Sequence, residues 1–323
     1  MSSAGGGRKV AEAYPSATGR CGRGPHGQHS GAVHPARMLW QLAEPWHAIV
    51  YFAPQAHAAF EQAGLRGFWR GYFAGRAAPL GAVGSGVVTA CFFGFEPGFV
   101  ARAVPAVWSM TSPADALAAR SAGVAAAVRA LADGAVSGAE MTRAAALVRD
   151  AVADCPRAGR PLFAANLELE WPAEPHLALW HAATLLREHR GDGHVATLVG
   201  AGLDACEAHV SRVVATGVPP DTIQPYRGWT EDDWAAAVRR LQERGWIDER
   251  GVVTSAGREG RDAIERRTDE LAGEPVRRLG PEGIDRVTAA LGPLAAALGR
   301  SGTIPYPNPM GVPPPERGTG GTT

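Results

Sequence analysis

The stretch "RGWTEDDWAAAVRRLQERGWIDERGVVTSAGREGRDAIERRTDEL", residues 227–271, constrains the fold more than any other part of the chain. Thr230 stands where a helix N-cap is expected, with Asp233 three residues later to close a capping box. A helix of about four turns then runs to Gly245, which suits a left-handed stop. "WID-ERG-VVT" follows as two short apolar strands about a tight turn. "SAGREGRDAIERRTDEL" opens a long amphipathic helix. A helix, a short ribbon and a second helix must share one small core, because none buries its apolar side alone.

The rest of the chain reads as helices punctuated by Pro and Gly. Residues 1–33 are rich in Gly, Ser, Arg and His without periodicity and predict a disordered leader. Residues 34–160 predict an all-α domain. Its first helix starts near Pro35, is interrupted at Pro45 and ends near Pro54; the small-residue run 82–95 predicts a buried helix. Ser112 and Pro113 predict the start of another helix, with Gly134 at its end. Residues 161–175 predict an irregular connection. Residues 176–300 predict a second helical domain, whose first helix ends at Gly191 and whose next is broken around Gly200 and Gly202. Residues 301–323 are a Pro/Gly tail expected to carry no regular structure.

Composition narrows the function classes. The chain has 323 residues, 46% of them hydrophobic, so a substantial core is expected. Lys and Arg number 32 and Asp and Glu 32, a balance that disfavours a dedicated duplex binder, which needs local basic excess. The four cysteines, Cys21, Cys91, Cys155 and Cys206, show no zinc-ligand spacing and predict reduced thiols. No signal peptide and no apolar run long enough to span a bilayer is evident, which predicts a cytoplasmic protein without membrane attachment. HExxH, GxSxG, P-loop and dinucleotide patterns are missing, so no metal or cofactor is expected.

The order of elements in residues 227–271, preceded by two helices, is that of a winged helix-turn-helix. "AVRRLQERGWIDERGVVTSAGRE" resembles the recognition-helix end, wing and following helix of MarR-type proteins. "EPWHAIVYFAP", "GYFAGRAAPLG", "GFVARAVPAVW" and "TDELAGEPVRRLG" together resemble an actinobacterial helix-turn-helix family over roughly residues 34–300. That resemblance implies a mainly α, MarR-like winged-helix fold and brings no established catalytic residues with it. A fainter echo of "YRGWTEDDWAAAVRRLQ" in "PAVWSMTSPADALAARSAGVAAAVRAL" fits two degenerate winged-helix units in tandem.

A recognition helix reads bases with residues of its first turn, usually Arg, Lys, Asn, Gln or Ser. Here that turn carries Glu231, Asp232 and Asp233. They complement the helix dipole, but against phosphates each costs on the order of 1 kcal/mol. Arg239, Arg240 and Arg244 lie towards the far end, and the ribbon turn offers only Arg250. DNA is therefore a possible partner that electrostatics disfavours. A MarR-type ligand-responsive DNA-binding regulator, with a homodimer as its expected form, is the alternative reading, and a small-molecule ligand is the preferred one.

The preferred reading rests on "LWQLAEPWHAIVYFAP", residues 39–54. At roughly 100° per residue, Arg37, Trp40, Glu44, His47 and Tyr51 form one stripe, with apolar residues on both flanks. Such a stripe is either a solvated face or a polar seam in a buried helix. In the second case His47 is the acid/base candidate, Glu44 its orienting partner and Tyr51 an oxyanion donor. "LRGFWRGYFAGRAAPLG" adds Arg70, Tyr72 and Arg76, which with Arg37 and Trp40 suit an aromatic or carboxylate-bearing compound. These residues together predict a small-molecule protein, and an enzyme of specialised metabolism is the fuller form of that expectation.

Overall fold

The computed structural model describes residues 33–132 and 134–311; the expected leader lies outside these residues, apart from Val33. The fold is mainly helical. Helix α1 spans Pro35–Phe52, α2 Pro54–Gln62, α3 Phe68–Ala77, α4 Ser85–Phe92 and α5 Pro97–Ala101. Then come α6 Pro113–Leu131, α7 Gly138–Ala153, α8 Pro161–Leu167 and α9 Pro175–Gly200. The C-terminal part holds α10 Ala205–Thr216, α11 Gln224–Arg227, α12 Glu231–Glu243, α13 Ser255–Leu271 and α14 Gly273–Ser301.

Local chemistry sets most of these boundaries. Ser112, Ser137, Asp204, Thr230 and Thr254 each accept a backbone N–H at the start of their helix, and Ser137, Asp204 and Thr230 close full capping boxes. Pro45 does not interrupt α1. It removes one backbone hydrogen bond, but every residue of α1 from Ala43 onward is buried, so packing holds the helix together. The first helix of the second half does not stop at Gly191 but runs on to Gly200. Glycine is useful inside it: a Cβ on Gly193 would lie 3.1 Å from Arg160 and 3.2 Å from Leu271. The run 82–95 is less buried than expected; Val88, Cys91 and Phe92 face inward, while Val87 is 47% exposed.

The apolar residues form two cores. The larger joins α1 to α8 with the first half of α9 and with α14, from Ala36 to Leu186 and from Ala272 to Ile304. The smaller is built by the end of α9, α10, α12 and α13, around Leu198, Val210, Leu241 and Ile264. The division at 161–175 is therefore not where the packing divides: α8 lies in the expected connection, and α14 returns to the first core.

The expected ribbon after α12 is a single antiparallel bridge, Ile247 to Val253, and no strand is formed among the described residues. Gly251, with φ of +80°, closes the turn. After α6 the described residues pass to α7 without any strand pair, so nothing of a second ribbon is seen there. Of the tail 301–323 expected to be disordered, residues 301–311 are packed, a correction for that part, and residues 312–323 lie outside the described residues. Ile304 and Asn308 are buried, and Arg227 donates to the Pro309 carbonyl at 3.0 Å. No described helix is long and apolar enough to cross a membrane.

Candidate functional site

The stripe on α1 faces inward, against α9. Arg37 pairs with Asp269 of α13 at 2.7 Å. Trp40 donates from Nε1 to Glu44 at 3.0 Å, and Arg187 reaches the same carboxylate at 3.3 Å. Arg187 also holds Glu188 at 2.6 Å, and Arg76 approaches Glu188 from α3 at 3.5 Å. Glu44 is thus an anchor for Arg187 and Trp40, whereas the hydrogen bonds of His47 go to Thr184 and Tyr51.

His47 lies between Thr184 and Tyr51, each at 2.9 Å. The direction of these bonds follows from one proton. Thr184 gives its hydroxyl hydrogen to the Trp180 carbonyl, so it can only accept from His47 Nδ1–H. Nε2 is then the bare nitrogen, and the Tyr51 hydroxyl donates to it. Burial, followed by the Arg187 guanidinium, holds the imidazole well below its usual pKa despite Glu188. His47 is therefore a tautomer-fixed acceptor towards Tyr51, and burial favours its neutral form.

Tyr51 and Tyr72 stand with ring centroids 5.0 Å apart, and their environments push them in opposite directions. Burial raises the Tyr51 phenol far above its ordinary value, against the pull of Arg187 and Arg76. Burial would raise Tyr72 as well, but Arg76, Arg227 and Arg187 outweigh it and hold that phenol below its ordinary value. Arg76 also donates to the Tyr72 oxygen at 3.4 Å.

These two rings divide two spaces. On the outer side is a pocket of about 380 Å³, walled by Val50, Pro54, Phe60 and Phe68, with His57 at its side. His57 donates to the Tyr51 carbonyl at 2.7 Å, which ties the turn between α1 and α2. Phe60 lies flat on α3 because Gly71 and Gly75 leave no Cβ in its way; one on Gly75 would sit 2.5 Å from the ring. On the inner side is a chamber of about 10 Å³ between His47, Arg76, Arg120, Asn166, Thr184 and Glu188. That is about one water-sized sphere. Four buried polar atoms at this chamber have no hydrogen-bond partner: Arg76 Nε, Arg120 Nε, Asn166 Oδ1 and Glu188 Oε2. Unsatisfied groups on this scale are costly in a packed interior and mark places where a ligand or water has something to bind.

Of the residues expected from the sequence, His47, Tyr51, Tyr72 and Arg76 meet at this chamber. Arg37, Trp40 and Glu44 lie farther along α1, in contact with α13 and Arg187. Arg70 is exposed and only touches the Arg66 carbonyl at 3.5 Å, so it stands apart from the site. Thr184, Arg187 and Glu188 on α9, with Arg120 and Asn166, were not expected. Nothing local marks them; the packing of α9 on α1 brings in the first three, and α6 and α8 supply Arg120 and Asn166. Cys91, Cys155 and Cys206 are buried free thiols, and no cluster that could hold a metal occurs among the described residues.

The small core repeats the economy of the large one. Arg240 is held by Asp204 and by Glu207 at 3.0 Å, and Arg244 donates to the Ala201 and Gly202 carbonyls at the end of α9. Two of the three arginines on or just after α12 are thus engaged by the fold's own groups, although both stay exposed.

An α-helical body with a buried polar site, carrying a small cluster that ends in a helix, a bridged turn and a helix, defines a helix-turn-helix protein of unusual size. The profile of a helix-turn-helix family matches residues 36–305, and the chain belongs to that family. No curated protein and no solved structure matches it.

Proposed function

We propose that this protein binds a small aromatic molecule bearing a hydroxyl, carbonyl or carboxylate group, in the pocket floored by Tyr51 and Tyr72. The observation that carries the reading is an apolar pocket floored by two neighbouring phenols and backed by buried polar atoms that lack a hydrogen bond; the surroundings push Tyr51 up and Tyr72 down. Paired groups driven apart in this way divide acid and base roles between them. Tyr72 is the group able to exchange a proton with the ligand. Tyr51, oriented by His47 and through it by Thr184, is a neutral hydrogen-bond donor. An enzyme of acid–base chemistry on such compounds is the fullest form of this reading.

The test is calorimetric titration with a panel of phenols and aromatic carboxylates, followed by solvent deuterium incorporation into any binder. Tyr51→Phe and Tyr72→Phe are each expected to weaken binding about tenfold, from one lost hydrogen bond in a desolvated site. Only Tyr72→Phe is expected to stop proton exchange. A binder unaffected by either change would refute the reading.

Family membership supports a second reading, a ligand-responsive DNA-binding regulator. In that reading α12 is the recognition helix, the Ile247–Val253 bridge is a reduced MarR-like wing, and the protein is a homodimer on its operator. Its exposed first turn, Glu231 and Asp232, argues against tight contact with phosphate. Binding of labelled duplex from the gene's own upstream region, at low and moderate salt, separates the two. Salt-sensitive specific binding would establish the regulator.

A further inference from the structure

A second cavity lies where the two cores meet, on the opposite side of Tyr72 and Arg76 from the pocket. It has two lobes, of about 200 Å³ and about 260 Å³, which share Arg76, Arg187, Arg212 and Arg261 in their walls. Arg227 lines the first lobe and Arg190 the second. Helices α3, α4 and α9 supply the wall on the side of the large core; α10 and α13 supply the other. Residues Pro309–Gly311 lie across the opening.

The six guanidiniums that line the cleft share few carboxylates, and Arg37 draws on two of the same ones. Arg76 and Arg187 share Glu188, and Arg187 also uses Glu44. Arg190 and Arg261 share Glu265, and Arg190 shares Asp269 with Arg37. Arg227 has no carboxylate partner among the described residues: it reaches the Pro309 carbonyl, the Tyr72 phenol and the Phe95 ring, 4.4 Å from its Cζ, and its buried Nε makes no hydrogen bond. Arg212 makes no hydrogen bond and no ion pair with any described residue. It is only half-buried, yet burial and the neighbouring Arg227 and Arg261 lower its guanidinium to about 10. The histidines of the cavity offer no negative charge and stay neutral: His209 donates to the Gly94 carbonyl at 2.8 Å, and His194 contacts Thr268 at 2.9 Å.

We infer that this cleft is a binding site for a small dianion, a phosphate monoester or a dicarboxylate, gripped by Arg212, Arg227 and Arg261. Arginine forks fit both groups with paired hydrogen bonds. A doubly negative ligand suits a cleft in which Arg212 and Arg227 have no carboxylate partner of their own among the described residues. Because Arg212 and Arg261 belong to the small core and Arg76 and Arg187 to the large one, the anion bridges the two. The inference stands apart from the pocket reading, since the ligands, the space and the gripping residues differ.

The experiment uses the full chain, with inorganic phosphate and succinate as probes against sodium chloride at matched ionic strength. Saturable stabilisation against heat by one of the probes, and not by chloride, is expected; which probe it is distinguishes phosphate from dicarboxylate. Arg212→Gln is expected to weaken that binding about tenfold or more, the effect of losing charge-assisted hydrogen bonds. Arg143→Gln, an exposed control of equal charge change, is expected to leave it unaltered. Without ligand, Arg212→Gln is expected to melt no lower than the parent, because the arginine it removes has no partner to lose. Three results would each overturn the inference: no saturable effect from either probe, equal affinity in Arg212→Gln, or a lower melting temperature for that variant without ligand.

Discussion

Replacing Glu188 by Gln removes the carboxylate that Arg187 and Arg76 share from opposite sides, at 2.6 Å and 3.5 Å. Its side chain is 2% exposed, so solvent does little to soften the change. Burial pushes its carboxyl up, but Arg187, Arg76 and His47 overcome that and bring it from 4.5 to about 2. At 1.36 kcal/mol per decade this depression is worth roughly 3 kcal/mol of folding stability near neutral pH. Breaking a buried pair from one side costs about 3–5 kcal/mol by mutational precedent, the same order. After the change Arg187 keeps Glu44, whereas Arg76 is left with no carboxylate. The sign of the pH dependence follows from the depressed value. The stabilisation is complete above 4.5 and fades as pH falls from there towards about 2. Urea unfolding of parent and Glu188→Gln should therefore differ by about 3 kcal/mol near pH 7. The gap should narrow steadily in acid, below the ordinary carboxylate value. A gap under about 1 kcal/mol, or one that is constant with pH, would refute the claim that Glu188 is the charged hinge of the site.

Three other outcomes follow from the same packing. Asp192 is raised from 3.8 to about 7, chiefly by burial, while accepting the Phe163 N–H at 2.9 Å. A raised acid stabilises the fold fully below 3.8 and less as pH climbs through about 7, so Asp192→Asn should equal or exceed the parent in urea stability at mildly alkaline pH. Gly123→Ala should cost about 1–3 kcal/mol by thermal unfolding, because the new Cβ would lie 2.7 Å from the Cα of Ala56, which is backbone and cannot swing away. In a spectrophotometric phenol titration the described tyrosine that ionises first should be Tyr72, since Tyr51, Tyr226 and Tyr306 are all raised; Tyr72→Phe should delete that early step.

Much of the site was legible in one helix. The 3- and 4-residue spacing of Arg37, Trp40, Glu44, His47 and Tyr51 placed them on a single line, and their apolar flanks turned that line inward. Tyr72 and Arg76, one turn apart on α3, were found by the same logic. The partners that decide what these groups do were not legible, because they come from α9, 137 residues on in the case of Thr184. An end at Gly191 hides instead the reach of α9 into the small core: glycine in a helix interior usually signals weakness, and here it serves close packing. The strands around Arg250 failed for a different reason. Propensity favoured them, but Asp248 caps the turn onto Arg250 and Val252 and leaves room for only one bridge. The tail was misread because proline excludes helix without excluding burial.

Helix α9 serves as a ruler. It is about 39 Å long at 1.5 Å per residue, and its two ends are embedded in different cores. Each residue inserted between Thr184 and Leu198 would turn one end against the other by about 100° and scatter the arginines that face the shared cleft. Its length in related chains should accordingly be invariant, even where the loops on either side of it grow or shrink.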